Sequence, residues 1–114
     1  MKISKENAEH YIWGQLCDGF HLIKSNDLSI IHEKMPPETF EEKHYHTKAK
    51  QFFFVLSGQA TIEVNDEIVL LNEHEGIEIL PNIPHQMMNK SSDDVEFILI
   101  STPTSKGDRV VVEN

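Results

Sequence analysis

Cysteine, basic charge and long apolar runs are all scarce in this chain, and each shortage excludes a class of protein. The one cysteine, Cys17, cannot close an internal disulfide, so the fold must hold without a covalent staple. Cys17 reads as a small buried residue rather than a reactive thiol. Lys and Arg number 10 against 19 Asp and Glu, giving a formal charge of −9 that repels phosphate backbones and anionic lipid headgroups. The basic residues are also scattered, so nucleic acid is excluded as a partner. The first residues, Met1-Lys2-Ile3-Ser4-Lys5-Glu6-Asn7, lack the apolar segment of a secretory signal, and the longest apolar run, Phe52 to Leu56, cannot span a bilayer. No membrane association and a cytoplasmic location are expected.

What is present is an ordinary globular composition, 39% hydrophobic and 25% charged, in 114 residues. That length supports one hydrophobic core, so residues 1–114 are read as a single domain. No repeat, low-complexity tract or linker divides it. From Gln51 onward, short runs of β-branched and aromatic residues alternate with turn signals. Strands are expected at Gln51 to Leu56, Ala60 to Val64, Glu67 to Leu71, Ile77 to Leu80, His85 to Asn89 and Val95 to Ser101, with Val110 to Val112 rejoining the sheet. Asn65-Asp66 suits a tight hairpin turn. Ahead of these, Leu28 to Glu33 and Phe40 to His46 read as strands around a Pro36-Pro37 turn, and Ser4 to Gln15 as a weak helix. Residues 1–27 are taken as accessory to this β-rich body.

Phe52-Phe53-Phe54-Val55-Leu56 is apolar at both parities, so both faces of that strand need cover. One face can line an interior. The other calls for a second sheet or a second subunit, and a homodimer is expected.

The chemistry rests on histidine. His44-Tyr45-His46 puts two imidazoles on one face of a strand, within reach of one ion. Thr47 to Lys50 then reads as a turn that brings Gln51 back across a hairpin to face them. Farther on, Pro84 restricts the backbone just before His85, and Met87 and Asn89 share the face of His85. His10, His21, His32 and His74 stand apart from these groupings and read as surface or structural residues.

In this order and spacing the residues resemble the two motifs of the cupin superfamily. The first is usually His-x-His, three or four residues, Glu, six residues, Gly, matched by His44, His46, Gln51 and Gly58. The second is usually Gly, a Pro-rich turn, His, three residues, Asn, matched by Gly76, Pro81, Pro84, His85 and Asn89. The segment from about 36 to 101 carries the resemblance. Pro36-Pro37, Ala49 to Phe53 and the closing Gly107-Asp108-Arg109 further resemble a subgroup of small stand-alone cupins. Two departures stand out: Gln51 replaces the usual Glu, and Asn82 stands where Gly is frequent, a mild change because Asn tolerates left-handed geometry.

The resemblance implies an all-β jelly-roll barrel holding one divalent transition metal ion (Zn, Fe, Ni, Cu or Mn) through His44, His46 and His85, with Gln51 as the fourth ligand. Phe53 and Met87 would shape a substrate pocket near the ion. With only neutral ligands the ion would keep its full dipositive charge and act as a stronger Lewis acid than with Glu. A metal-dependent enzyme acting on a small molecule is the first reading, with oxygenase-type chemistry favoured because three histidines face apolar residues and no Arg or Lys pair beside the motifs could hold a phosphate. An isomerase or epimerase of related fold and a non-catalytic binding module are the alternatives. A metal-free epimerase would pair a histidine with a carboxylate, and no Asp or Glu lies in the His44 to His46 or Pro81 to Asn89 segments.

Overall fold

The computed structural model describes residues 1–14 and 16–113, which form eleven β-strands and no helix. The strands are β1 (Glu9–Trp13), β2 (Cys17–Lys24), β3 (Ser29–Met35), β4 (His44–His46), β5 (Lys50–Ser57), β6 (Ala60–Val64), β7 (Glu67–Leu71), β8 (Gly76–Ile79), β9 (His85–Met88), β10 (Val95–Thr102) and β11 (Arg109–Val111). They make two antiparallel sheets, one ordered β1-β2-β3-β10-β5-β8 and the other β11-β4-β9-β6-β7. This is the jelly-roll arrangement expected, in which two inward faces share one core.

Strand parity decides what enters that core. Gln51, Phe53 and Val55 of β5 and Val95, Phe97 and Ser101 of β10 are buried, while their alternate neighbours face out. Ile62 of β6 and Met87 of β9 meet them from the other sheet, both fully buried. Two turns show why their residues are needed. Gly58 has φ +82°, and a Cβ there would lie 2.4 Å from the Asp94 carbonyl oxygen, so only glycine lets β5 turn into β6. Asn65 and Asp66, both at positive φ, close the expected hairpin between β6 and β7.

The front of the chain departs from expectation. The helix read over Ser4 to Gln15 is absent: residues 5–7 form a turn and Glu9–Trp13 is a strand, with Gln15 outside the described residues. Tyr11 and Trp13, poor helix formers, instead turn inward from β1, and the Tyr11 ring covers Gly19 so closely that a Cβ there would lie 2.2 Å from it. β2, where no strand was expected, pairs with β3 along most of its length. The stretch read as strand from Phe40 keeps only His44–His46, with Phe40 bridging singly to Met88.

A second correction concerns β4 and β5, which form no hairpin. They lie in different sheets, and residues 47–49 cross between them. The crossing is pinned by the Asp108 carboxylate, whose Oδ2 accepts hydrogen bonds from the backbone N–H groups of Lys48 (3.0 Å) and Ala49 (2.9 Å). Gln51 therefore belongs to the opposite sheet from the histidines.

Candidate metal centre

His44 and His46 are delivered by alternation along β4, and His85 opens β9, where its Cα is the register partner of His44. All three are buried, with 3%, 5% and 1% of their surface exposed. Their rings converge, with centroids 4.9 Å apart for His44 and His46, 4.5 Å for His44 and His85, and 5.9 Å for His46 and His85. One nitrogen from each lies within 4.8 Å of the others, a spacing that suits three ligands of one ion.

Hydrogen bonds fix which nitrogens converge. Nδ1 of His44 lies 2.7 Å from the Glu42 carbonyl oxygen, and Nδ1 of His85 lies 3.0 Å from the Ile83 carbonyl oxygen. A carbonyl only accepts, so both Nδ1 atoms carry the proton and both Nε2 atoms keep a lone pair. The His85 Nε2 is buried with no hydrogen-bond partner. Burial holds the pKa of His44 down to about 3 and that of His85 down to about 4, so both rings are neutral near pH 7. Neutral rings with converging lone pairs are what metal coordination requires.

Gln51 is 3% exposed and is tethered at one end only. Its Nε2 donates to Ser101 Oγ at 3.0 Å, and its Oε1 is buried without a partner. An orphaned carbonyl oxygen inside a fold costs on the order of 1–3 kcal/mol unless something binds it. His85 Nε2 and Gln51 Oε1 are thus two buried acceptors, one in each sheet, that no protein group satisfies. Asn82, in the loop leading to His85, has φ 68°, the left-handed geometry that its residue type tolerates, and its N–H donates to the His46 carbonyl at 2.7 Å. Asn89 is a scaffold residue: its Nδ2 donates to the carbonyls of Met35 and Asp93, and its Oδ1 accepts from Ser91.

Phe53 and Met87 are 2% and 0% exposed and belong to the core, with the Phe53 ring 5.8 Å from that of His85. Open space lies to one side, in a cavity of about 510 Å³ lined by Tyr11, Trp13, Gly14, Phe40, Glu41, Glu42 and Arg109. No histidine lines it; two of its lining residues are backbone neighbours of the centre, Glu42 through the carbonyl that accepts from His44 and Arg109 as the register partner of His46 on β4.

Several of these groups were not marked as functional in the sequence. Asp108 sits 62 positions from His46, yet its Oδ1 lies 2.8 Å from His46 Nδ1. Burial works to raise its pKa, but hydrogen bonds from Ala49, His46 and Lys48 outweigh this and hold it below the usual range. Glu33 is buried and Glu41 part-buried; burial, then Glu41 repulsion, pushes Glu33 up to about 8, while burial pushes Glu41 up to about 7. The Tyr11 hydroxyl donates to Glu33 at 3.3 Å. Asp108 belongs to the noted Gly107-Asp108-Arg109 run, the one trace of this group in the sequence. Glu33 and Glu41 follow no local pattern.

With the geometry in place, residues 31–101 match the cupin domain family. The chain is a cupin. It is 35% identical over 101 residues to a curated oxidoreductase of Arthrobotrys oligospora, across 82% of this cupin and 37% of that protein. The chain thus spans little more than a third of that relative's length. Among solved structures, the polyketide cyclase RemF of Streptomyces resistomycificus superimposes with a TM-score of 0.86 at 14% identity, covering 100% of this cupin and 86% of that chain. A sugar phosphate isomerase of Silicibacter pomeroyi gives 0.80 at 14%, covering 91% and 76%. A Streptomyces nucleoside dehydratase gives 0.82 at 17%, covering 99% and 91%. At such identities the likeness establishes the fold alone.

Proposed function

We propose that this cupin is a metal-dependent enzyme acting on a small molecule, with one divalent transition metal ion held by His44, His46, His85 and the Oε1 of Gln51. The observation that carries the reading is the convergence, within 4.8 Å, of three buried histidines of which two are fixed by backbone carbonyls with Nε2 free. When bound, the ion would supply Lewis acidity and open coordination positions. His44 and His85 stay neutral and Gln51 is uncharged, so the ligands leave the dipositive charge nearly intact. Tyr11, Trp13 and Phe40 would orient a small substrate in the cavity, beside the Arg109 guanidinium and the Glu42 carboxylate that faces it at 3.6 Å.

Oxygenase-type chemistry on a diketone or phenol fits these walls best, and the relative from Arthrobotrys named an oxidoreductase supports that direction. Oxygen uptake with a panel of small diketones and catechols tests it: substrate-dependent consumption by the metal-loaded chain is expected. Consumption no faster than with metal-stripped chain contradicts it. The second reading, an isomerase or epimerase working by acid–base chemistry, gains from one contact. His46 is paired with a carboxylate after all, supplied by Asp108 from outside both motifs.

The homodimer belongs to the same proposal. Phe52 is 38% exposed and stacks against Phe54 on the outer face of β5, with Ile98 and Ile100 beside them on β10. A second copy of this face would cover them.

A further inference from the structure

Asp108 touches His46 and the crossing between the sheets at the same time, and its two oxygens are not interchangeable. Oδ2 accepts from two backbone N–H groups, those of Lys48 and Ala49, which can only donate. Oδ1 is left for His46 Nδ1 at 2.8 Å, and the Asp108 side chain is 6% exposed, so water competes little for either oxygen. The Asp108 backbone carbonyl also accepts from Thr47 N–H at 3.1 Å. One residue therefore holds the strand end that carries His46 and the turn that delivers Gln51.

We propose that Asp108 is the positioning residue of the centre: it fixes His46 in the Nδ1–H tautomer, with the Nε2 lone pair toward the other ligands. His44 and His85 receive the same instruction from backbone carbonyls, which no side-chain substitution alters. His46 alone depends on a side chain. With Gln51 neutral, Asp108 is also the carboxylate in contact with a histidine of the centre, so the anionic charge that a Glu at position 51 would supply is placed one residue behind the ligands.

Asp108→Asn is the discriminating variant because it keeps the shape and reverses one hydrogen bond. The two backbone donors require the amide oxygen at the Oδ2 position, which turns the amide NH₂ toward His46. An NH₂ group donates, so Nδ1 must accept and the proton moves to Nε2, abolishing the lone pair there.

The test has two arms. Long-range ¹⁵N–¹H correlation of the imidazoles in metal-stripped protein is expected to show Nδ1–H for His44, His46 and His85 in the wild type, and Nε2–H for His46 alone in Asp108→Asn. Competition for Zn²⁺ against a chromogenic chelator is expected to show a 10- to 100-fold weaker affinity in the variant. An Nε2–H tautomer at His46 in the wild type overturns the proposal and needs no variant to fold. Retention of Nδ1–H with unchanged Zn²⁺ affinity in Asp108→Asn overturns it as well. The affinity arm rests on the metal-centre reading, whereas the tautomer arm requires no ion. A wild type with the expected tautomers that binds no Zn²⁺ refutes the metal centre and upholds the role of Asp108.

Discussion

Replacing Glu33 by Gln should flatten the fall in stability of the metal-stripped protein above neutral pH. Glu33 is 7% exposed, its side chain is bonded by the Tyr11 hydroxyl, and burial followed by repulsion from Glu41 raises its pKa from an ordinary 4.5 to about 8. The folded chain therefore holds this proton more tightly than the unfolded chain does. The stabilisation is complete below pH 4.5 and is lost as pH rises through 8, at about 1.4 kcal/mol per pH unit while folded Glu33 stays protonated and unfolded Glu33 does not. The buried histidines act with the opposite sign. Folded values of about 3 and 4, below an ordinary 6.5, give a contribution that is lost on acidification and that still grows by about 0.8 kcal/mol for the two rings together between pH 6.5 and 8.5. Across that window Glu33 should cost the wild type about 2 kcal/mol, while the histidines act equally on wild type and variant. Gln is nearly isosteric, cannot ionise, and can still accept from Tyr11. Urea unfolding at pH 6.5, 7.5 and 8.5 should show the wild type losing about 2 kcal/mol, Glu41 and the histidines included, and Glu33→Gln losing less than about 1 kcal/mol. Parallel pH profiles for the two proteins would refute the reasoning.

Gly58→Ala should destabilise by about 2–4 kcal/mol, because left-handed backbone strain adds to a Cβ placed 2.4 Å from the Asp94 carbonyl, and a melting temperature within about 3 °C of wild type would contradict this. Phe52→Ser combined with Phe54→Ser should convert a dimer to a monomer in light scattering without loss of folded signal, and an unchanged mass or a monomeric wild type would count against the outer face as the interface. Gln51→Glu should tighten binding of hard divalent ions such as Mn²⁺ by tenfold or more, since it adds an anionic ligand beside Ser101, and unchanged affinity would show that residue 51 does not coordinate.

The motif histidines were legible because each signal is local: alternation brings His44 and His46 together, and Pro84 and Asn82 shape the approach to His85. Strands β5 to β7 were legible for the same reason, with alternation between clear turns. The first two strands were not. Tyr11 and Trp13 gain their inward places from packing over β2, notably on Gly19, which no local pattern announces. The crossing after His46 looked like a hairpin because a polar stretch of four residues fits either reading. What decides between them is Asp108, about 60 residues away, bonding the Lys48 and Ala49 amides. The same distance concealed the carboxylate partner of His46, so the short motif segments looked devoid of acid when the fold supplies one.

The metal centre itself is tested most directly by element analysis of the purified chain beside His85→Ala, at matched expression and without added chelator. Removing His85 leaves two of the three histidines and deletes the buried Nε2 that has no protein partner. About one transition metal ion per wild-type chain is expected, and at most about one tenth as much in the variant, by analogy with the steep loss that follows removal of a first ligand. Equal, near-zero metal in both proteins would contradict the account.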